Sequence, residues 1–337
     1  MTAPTTSFVV TCHNLGAYLD ETLESLFAQT VQDFEVVVVN DGSTDGATCR
    51  LLADLDRPRT RVIHIERRGL PGARNVGVRD ARGRYLCMVD ADDLLEPTYL
   101  ERSLQALEPR SDLAFASHWL RAFGDETWDW TPTECGFPAL LLANTLNGAA
   151  LMRRDMFEHV GGFDETMLDG CEDWEFWIRV VDAGFTGVIL PEFLFRYRRR
   201  SDSMSRAMHA VPGMPALHRQ LVERHPALFA QHLVALLEQR DAEIASISTS
   251  LWRLERAWAS DLEGRRQWLR DNAMGRRQEA EDRQQAEQAR QLEPTQVEVR
   301  MLHAAFNRER ERHLALLNSW SWRLTRPMRA LLGWWQR

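Results

Sequence analysis

"GARNVGVRDARGRYLCMVDADD", residues 72 to 93, joins a stretch with helical spacing to an apolar strand that ends in aspartates. We predict that Arg74 and Asn75 begin a helix, where free backbone N–H groups favour an anion and the forked arginine side chain adds a cation for phosphate. A nearly continuous apolar run such as residues 85 to 89 is typical of a strand buried on both faces. This stretch therefore predicts one strand of an α/β fold, preceded by a helix whose start suits a phosphate.

Three aspartates, Asp90, Asp92 and Asp93, crowd the end of this strand. Like charges this close repel one another and raise one another's pKa unless a cation lies between them. Asp90 and Asp92 are two positions apart, so on an extended backbone their side chains face the same way. Hard divalent cations such as Mg²⁺ and Mn²⁺ prefer oxygen ligands and take one or two carboxylates together with phosphate oxygens. Two interpretations stay open at this point, an ordinary acidic turn and a cation site that bridges the protein to a diphosphate.

Short β-branched runs alternate with helical spacing up to about residue 205, which indicates a parallel sheet covered by helices on both faces. The predicted strands are residues 7–12, 34–40, 61–65 and 85–90. Ligands of such sheets bind beyond the carboxyl ends of the strands. Polar clusters follow three of the strands directly, at residues 13–16, 40–46 and 90–93. We therefore expect these clusters to line one edge of the sheet.

The composition argues against several classes of protein. A formal net charge of −8 disfavours a nucleic-acid-binding protein, and all 41 basic residues are arginine, which suits phosphate recognition. The five cysteines are odd in number and widely spaced, so we expect neither a disulfide framework nor a structural zinc site. The amino terminus lacks the pattern of a signal peptide, and no apolar stretch reaches the roughly 20 residues of a spanning helix. These features predict a cytoplasmic protein.

The second polar cluster, NDGSTDG at residues 40 to 46, allows two interpretations. Gly42 permits a sharp turn after the strand, and Ser43 or Thr44 can cap the helix that follows. In the functional alternative, Asp41 accepts hydrogen bonds from the base or ribose of a nucleotide. The spacing alone does not distinguish a capped turn from a nucleotide site.

Four segments in this order resemble glycosyltransferase family 2. They are residues 7–30, 35–48, 72–93 and 161–185, and the resemblance as a whole extends from about residue 6 to about residue 205. It implies a GT-A type nucleotide-diphospho-sugar transferase fold, which is an α/β fold with a Rossmann-like mixed sheet. It also implies an inverting transfer of a sugar from a nucleotide-diphosphate donor to an acceptor hydroxyl group.

The resemblance further implies the donor-binding residues. By their place in the family pattern, the residues that contact the nucleotide or the donor are Thr11, His13, Asn14, Asp41, Arg74, Asn75 and Asp90. Asp90 and Asp92 match the D-x-D element of the family, with Asp92 as the more direct ligand of a divalent cation, Mn²⁺ or Mg²⁺. One position departs from the pattern, because Arg200 stands where relatives often carry a histidine that completes the metal shell. Either the metal keeps an extra water there, or Arg200 itself binds the diphosphate.

In the last segment, the resemblance implies that Asp173 is the catalytic base and that Glu172 contacts the acceptor or supports the base. An inverting transfer needs a carboxylate that takes the proton of the attacking hydroxyl group. A cation and Arg74 would neutralise the charge that builds on the leaving diphosphate. The alternative is structural, because acidic residues suit the first turn of a helix and Trp174 and Trp177 have the spacing of a core face. We interpret both tryptophans as core residues.

Beyond about residue 230 the strands give way to helical spacing. Apolar residues recur at intervals of three, four and seven, which is the pattern of a short coiled coil: Leu237, Ile244, Ile247, Leu251, Leu254 and Trp258. We predict a catalytic domain at residues 1–215, an all-α, coiled-coil-like region at 216–317 and a basic amphipathic segment at 318–337. The last segment suits an anionic membrane surface, and packing on the helical region or on a second subunit is the alternative.

The sequence thus predicts a glycosyltransferase of cell-surface polysaccharide synthesis. Its expected partners are a nucleotide-diphosphate sugar and a glycan or lipid-linked acceptor, with no nucleic acid. The helical tail would allow a homo-oligomer or a peripheral contact with the inner membrane face. The alternative is a catalytically degenerate, nucleotide-sugar-binding scaffold whose tail mediates assembly. A nucleotidyltransferase and a dehydrogenase are disfavoured because the first strand lacks the glycine-rich loop of either class.

The choice of acceptor is expected to depend on the stretch from residue 124 to residue 150. Its candidate contacts are Trp128, Trp130 and Asn147. No spacing rule identifies an acceptor from these residues.

Overall fold

The computed structural model describes residues 3–201 and 213–272 of the chain. The chain divides into two compact units, Met1–Leu236 and Leu237–Arg337. The first unit contains every strand of the described residues, and it extends beyond residue 215 to include two further helices. In the second unit, the described part is helical from Leu237 to Asn272.

One mixed sheet forms the centre of the first unit. Its strands are β1 (Thr6–Cys12), β2 (Phe34–Asp41), β3 (Thr60–Ile65), β4 (Tyr85–Asp90), β5 (Leu94–Leu95), β6 (Leu113–Gly124), β7 (Asp129–Trp130), β8 (Leu151–Arg153) and β9 (Thr186–Arg199). They follow the order β3-β2-β1-β4-β8-β6-β9-β5, and β7 pairs with β6. The first four are parallel neighbours, whereas β8 is antiparallel to both β4 and β6. The predictions of four parallel strands and of a mixed sheet are confirmed.

The described residues contain ten helices, and the first seven of them lie between strands in chain order. They are α1 (Gly16–Phe27), α2 (Gly46–Ala53), α3 (Gly69–Asp80), α4 (Tyr99–Leu107), α5 (Ala139–Leu142), α6 (Arg154–His159), α7 (Glu172–Asp182), α8 (Gly213–Arg224), α9 (Pro226–Gln231) and α10 (Leu233–Asn272). The prediction that a helix begins at Arg74 is wrong, because α3 begins at Gly69. Pro71 falls in the first turn of α3, where its missing N–H group would have no partner in the helix anyway.

The parallel strands β1, β2 and β4 are buried on both faces, as their apolar runs predict, whereas β3 at the edge of the sheet is only partly buried. Alternate side chains belong to two separate core clusters, with Val9 and Val37 in one and Phe8, Val10 and Val36 in the other. Apolar residues of α3 and α7 belong to the first cluster, and those of α1 and α4 belong to the second. The centre of the sheet therefore lies between two helical layers, and its buried strands β1, β2 and β4 can meet a ligand only at their ends.

Helix α3 packs unusually close to the sheet at Gly77. A Cβ atom at this position would come within 2.3 Å of Val9 Cγ1, which is closer than real Cβ contacts, and within 3.0 Å of Val39 Cγ2. Val9 and Val39 are both fully buried, so neither side chain has room to move aside. The glycine therefore sets the distance between α3 and the strands, and with it the height of Arg74 above the sheet.

The described part of the carboxy-terminal region agrees with the predicted helix but does not test a coiled coil. Helix α10 runs over 40 residues and carries the predicted apolar seam, and pairing through that seam stays a prediction. Within residues 3–201 and 213–272, no helix combines the length and apolarity needed to cross a membrane. The predicted basic segment at 318–337 lies outside the described residues.

We predict that Gly77→Ala destabilises the fold. Overpacking of a filled core costs about 1–3 kcal/mol, which exceeds the roughly 1 kcal/mol that alanine gains over glycine as a helix former. Urea unfolding of both proteins would measure the loss. Gly136→Ala is the matched control, because a Cβ atom there meets no atom within 4 Å. Equal stability of Gly77→Ala and Gly136→Ala would contradict the close packing of α3.

Candidate active site

Polar residues at the ends of β1, β2 and β4 meet at one edge of the sheet, as predicted. Because β1 lies between β2 and β4, its last residues contact both neighbours. The hydroxyl of Thr11 donates to Asp90 Oδ1 over 2.9 Å, and His13 Nδ1 lies 2.7 Å from the backbone oxygen of Asp41. The structure thus brings the three predicted polar clusters together.

Asp41 occupies the start of α3 with its own carboxylate. Its Oδ1 accepts the backbone N–H of Arg68 over 2.6 Å, and its Oδ2 accepts that of Gly69 over 3.0 Å. The side chain is nearly fully buried in this position. The anion that the helix start favours is therefore a carboxylate of the chain itself, and a nucleotide contact by Asp41 stays a prediction.

Asn14 ties the exit of β1 to the start of α2. Its backbone is in the left-handed region, with φ of 56°, and its Oδ1 accepts the backbone N–H groups of Thr44 (2.7 Å) and Asp45 (3.1 Å). Asparagine tolerates this conformation better than most residues because its short polar side chain can form hydrogen bonds with nearby backbone groups. Its side chain is exposed, and its contact with a nucleotide stays a prediction.

Asn75 is directed to the loop that precedes α7. Its amide donates to the backbone oxygen of Phe163 over 2.9 Å and accepts the backbone N–H of the same residue over 2.9 Å. This two-way pairing fixes the loop between residues 161 and 171. The family pattern also predicts that Asn75 contacts the nucleotide-diphosphate sugar, and these hydrogen bonds do not test that prediction.

Arg74 lies at the centre of the site and is almost completely buried. Its Nη1 donates to Glu172 Oε1 over 2.6 Å, and its Nη2 donates to Asp90 Oδ1 over 3.1 Å. Burial disfavours its charge, but the nearby carboxylates of Asp90, Glu172 and Asp173 outweigh burial and raise its pKa. One guanidinium therefore joins the end of β4 to the start of α7.

Helix α7 delivers two adjacent carboxylates to this guanidinium. Cys171 precedes the helix in a left-handed conformation, with φ of 60°, and turns the chain so that Glu172 and Asp173 occupy the first turn. Trp174 and Trp177 on the same helix are buried in the core, which confirms the prediction that they are core residues. Their burial anchors the helix and fixes the two acidic side chains at its start.

The two carboxylates hold protons more tightly than ordinary acids. Burial raises the pKa of Glu172 to about 7, and repulsion from Asp173 and Asp90 adds to this effect, although Arg74 opposes it. Burial also raises the pKa of Asp173, against the lowering effects of Arg74 and of hydrogen bonds from the Trp174 N–H (2.7 Å) and the Asn144 amide (3.1 Å). A carboxylate whose pKa is raised towards neutrality is suited to accept a proton in catalysis.

The aspartates after β4 face arginines at the carboxyl end of β9 and directly after it. Asp92 Oδ2 accepts Arg200 Nε over 2.9 Å, and Asp93 Oδ1 accepts the backbone N–H of Arg198 over 2.8 Å. Burial and the charge of Asp90 raise the pKa of Asp92 to about 6, although Arg200 lowers it. Burial, followed by the charges of Asp92 and Asp90, raises the pKa of Asp93 well above its ordinary value. The negative charge at the end of β4 is thus only partly neutralised by the chain.

Asp90 and Asp92 fit a divalent cation as a partial ligand set. Their oxygens are hard donors, and a cation beside Asp92 would favour its ionised form, which burial and the charge of Asp90 disfavour. No group of three or more histidine, cysteine or acidic residues suited to a metal occurs in the part of the chain that the structure describes. Two carboxylates are what Mg²⁺ commonly takes from a protein, with phosphate oxygens and waters as the other ligands.

Sequence reasoning missed the role of Asn144. This residue follows α5, and its amide contacts Asp173 from a loop with no recognisable motif. The one signal was that asparagines interrupt an apolar stretch between residues 136 and 152. Gly148 of the same loop also borders the site, since a Cβ atom there would lie 3.5 Å from Arg74 Nη2 and 3.8 Å from Asp173 Oδ2.

The three candidate acceptor contacts differ in position. Trp128 is 40% exposed and Trp130 is half-buried, so both can meet a ligand at the surface. Asn147 is buried, and its amide donates to the backbone oxygen of His118 over 3.0 Å. The structure therefore gives Asn147 an interior role.

Comparison with known proteins agrees with this architecture. Residues 7–161 match the family model described as glycosyl transferase family 2. The chain is 30% identical over 243 residues to the succinoglycan biosynthesis protein ExoO of Rhizobium meliloti (strain 1021), covering 66% of this chain and 69% of that protein. It is 37% identical over 120 residues to the putative glycosyltransferase EpsH of Bacillus subtilis (strain 168), and that match covers 35% of either protein.

A solved structure has the same fold. The crystal structure of S. aureus TarS 1–349 in complex with UDP-GlcNAc superposes with a TM-score of 0.51 and 20% identity, over 60% of each chain. This likeness, with the mixed sheet described above, confirms the predicted GT-A type fold.

We predict that Arg74→Met lowers the free energy of unfolding by about 3–5 kcal/mol, the cost of leaving a buried ion without its partner. The double variant Arg74→Met/Glu172→Gln should lose less, because the unpaired carboxylate is then also removed. Chemical denaturation of the three proteins would give both values. Arg102→Met is the matched control, since its ion pair with Glu192 lies at the surface and should contribute little. If Arg74→Met and Arg102→Met unfold alike, Arg74 does not hold the site together.

Proposed function

The chain belongs to glycosyltransferase family 2, and we propose that it transfers one sugar from a nucleotide-diphosphate sugar to a hydroxyl group of a glycan or lipid-linked acceptor, with inversion at the anomeric carbon. One observation carries the proposal: the guanidinium of Arg74 bonds both Asp90, at the end of β4, and Glu172, which is followed by Asp173. Residues suited to hold a diphosphate and a residue suited to remove a proton are thereby joined in one site.

The donor would bind at the ends of β1, β2 and β4. Asp90 and Asp92 would hold a divalent cation, and when bound this cation would neutralise negative charge on the leaving diphosphate. Arg198 and Arg200, which already contact the aspartates, supply fixed positive charge at the same edge. UDP-GlcNAc, present in the TarS structure, is a ligand of the class proposed here, although that likeness extends to the fold alone.

The acceptor would react at Asp173. The hydroxyl oxygen of the acceptor forms the new bond to the anomeric carbon, while the bond from that carbon to the diphosphate oxygen breaks. The proton of this hydroxyl group passes to the Asp173 carboxylate. The carboxylate is suited to this step because burial raises its pKa, and each of its oxygens accepts one hydrogen bond and has a second lone pair left. The diphosphate leaves without a proton, so no acid is required.

Glu172 would support this reaction by holding Arg74 in place. Its carboxylate is buried and holds Arg74 at 2.6 Å, which keeps the guanidinium in contact with Asp90. In this arrangement Glu172 balances the charge of Arg74, and Asp173 is left to meet the acceptor. The two adjacent acidic residues would therefore have different roles.

The name of one relative supports a role in the synthesis of a cell-surface polysaccharide. ExoO is described as a protein of succinoglycan biosynthesis, which motivates a glycan or lipid-linked sugar as the acceptor. Membrane contact through residues 318–337 and self-association through α10 are further parts of the proposal, and both rest on sequence pattern.

We predict that Asp173→Asn lowers the rate of transfer by about 10²–10⁴-fold, because the amide cannot accept the hydroxyl proton. Affinity for the nucleoside diphosphate should stay within about threefold of wild type, since the new side chain differs by one atom and lies on the acceptor side. A panel of nucleotide sugars with radiometric detection, together with calorimetry, would measure both quantities.

Asp155→Asn is the matched control for this test. Asp155 also lies in the first turn of a helix and accepts the N–H of the next residue, over 2.8 Å, but it belongs to α6. Its variant should keep wild-type transfer. Full activity of Asp173→Asn would remove Asp173 as the base.

We further predict that a chelator lowers transfer at least about tenfold and that Mn²⁺ restores it, because the cation would carry part of the phosphate charge. Asp92→Asn should weaken the Mn²⁺-dependent rise in melting temperature measured with a nucleoside diphosphate. Asp129→Asn, at an exposed ion pair with Arg121, serves as the control. Transfer that is indifferent to the chelator would mean that arginines alone carry the phosphate charge.

A further inference from the structure

The loop between α5 and β8, residues 143–150, is fixed by buried polar contacts. The hydroxyl of Tyr99 donates to the backbone oxygen of Ala149 over 2.6 Å, and the amide of Asn147 donates to that of His118 over 3.0 Å. Tyr99 and His118 are both fully buried, so these anchors lie in the core and not at the surface. The loop is therefore held against the interior at its carboxyl end.

At its other end, the loop carries Asn144 to Asp173. The Asn144 Nδ2 donates to Asp173 Oδ2 over 3.1 Å, while Asn144 Oδ1 accepts the backbone N–H of Leu146 over 3.3 Å. The second bond sets the orientation of the amide, because only the oxygen can accept an N–H group. The nitrogen must then face the carboxylate, and Asp173 receives a donor of fixed direction.

The loop backbone also approaches the carboxylate closely. At Gly148 a Cβ atom would lie 3.8 Å from Asp173 Oδ2 and 3.5 Å from Arg74 Nη2. The loop therefore covers the carboxylate on the side of Arg74, and its residues can determine how the carboxylate is oriented. Arg74 itself directs its hydrogen bonds to Glu172 and Asp90.

We propose that Asn144 is a positioning residue for the transfer, whose amide N–H holds the Asp173 carboxylate ionised and oriented towards the acceptor hydroxyl. The inference rests on the proposed function and adds to it a residue of the loop after α5. A neutral donor stabilises the charged carboxylate without forming an ion pair with it, so the carboxylate stays basic enough to take a proton.

The test compares Asn144→Leu with Thr145→Val in the full chain. Leucine keeps the volume of Asn144 but removes the donor. Thr145 is the adjacent loop residue, and its buried hydroxyl has no hydrogen-bond partner within the described residues, so valine changes the loop without touching Asp173. Wild type and Asp173→Asn are assayed beside them, and thermal unfolding confirms that each variant is folded.

We expect Asn144→Leu to lower kcat by about tenfold or more, with the KM for the nucleotide sugar within about twofold, because only the proton-removal step loses an interaction. The rising limb of its kcat–pH profile should move to higher pH, since loss of a donor to the ionised form raises the pKa of Asp173. Thr145→Val should match wild type in both respects.

Asn144→Asp provides a second and isosteric test. Ionised, the new carboxylate would lie next to Asp173 and repel its charge; protonated, it can still donate one hydrogen bond. The two carboxyl groups should therefore titrate as a pair, so that activity rises as the pair loses its first proton and falls as it loses the second, which gives a bell-shaped kcat–pH profile in place of the rising limb of wild type. A wild-type profile for Asn144→Asp would overturn the inference.

Two other results would also overturn it. If Asn144→Leu and Thr145→Val have equal kcat and equal pH profiles, the loop is only structural, while the loss of transfer in Asp173→Asn would leave the proposed function standing. If wild type transfers no sugar from any nucleotide donor, the proposed function fails, and the role of Asn144 fails with it.

Discussion

The guanidinium of Arg74 carries a full positive charge in the interior, and the site depends on how that charge is satisfied. An isolated buried ion costs several kcal/mol, so the position is tenable only with close carboxylates. Glu172 and Asp90 provide them from α7 and β4, at 2.6 and 3.1 Å. The close approach of α3 at Gly77 sets the height of the arginine above the sheet. One ion-pair network therefore joins the end of β4 to the start of α7.

The same network leaves the site with an excess of negative charge. Asp90, Glu172 and Asp173 lie near the buried Arg74, and Asp92 lies beside Arg200. Burial, followed by repulsion between the carboxylates, raises the pKa of Glu172 to about 7 and that of Asp92 to about 6. Such unfavourable charge is common where function requires it. A ligand that brings a cation and occupies the acidic edge would relieve the repulsion, so binding and stability are expected to be coupled.

Arg200, the position that departs from the family pattern, directly follows β9 and lies close to Arg198 of that strand. Both guanidinium groups lie over the ring of Tyr18, at 5.0 Å for Arg198 and 5.3 Å for Arg200. From there Arg200 contacts Asp92, and Arg198 contacts the backbone of the same residue. A protein cation thus stands beside Asp92 at the position where the family resemblance implies a histidine. Any metal at Asp92 has to share that carboxylate with Arg200.

The sequence by itself determined the parallel strands of the sheet centre, because a strand buried on both faces must be apolar, and residues 85–89 satisfy this before Asp90 ends the strand. It also predicted that Asp41 and Asp90 lie at one edge, since parallel strands end together. It could not predict that α3 begins at Gly69, because the anion at that helix start is the carboxylate of Asp41, which lies at the end of β2 and is distant in the chain. Nor could it pair Arg74 with Glu172 or Asn144 with Asp173. These partners are distant in the chain, and only the packing of loops and helices on the sheet decides which side chains meet.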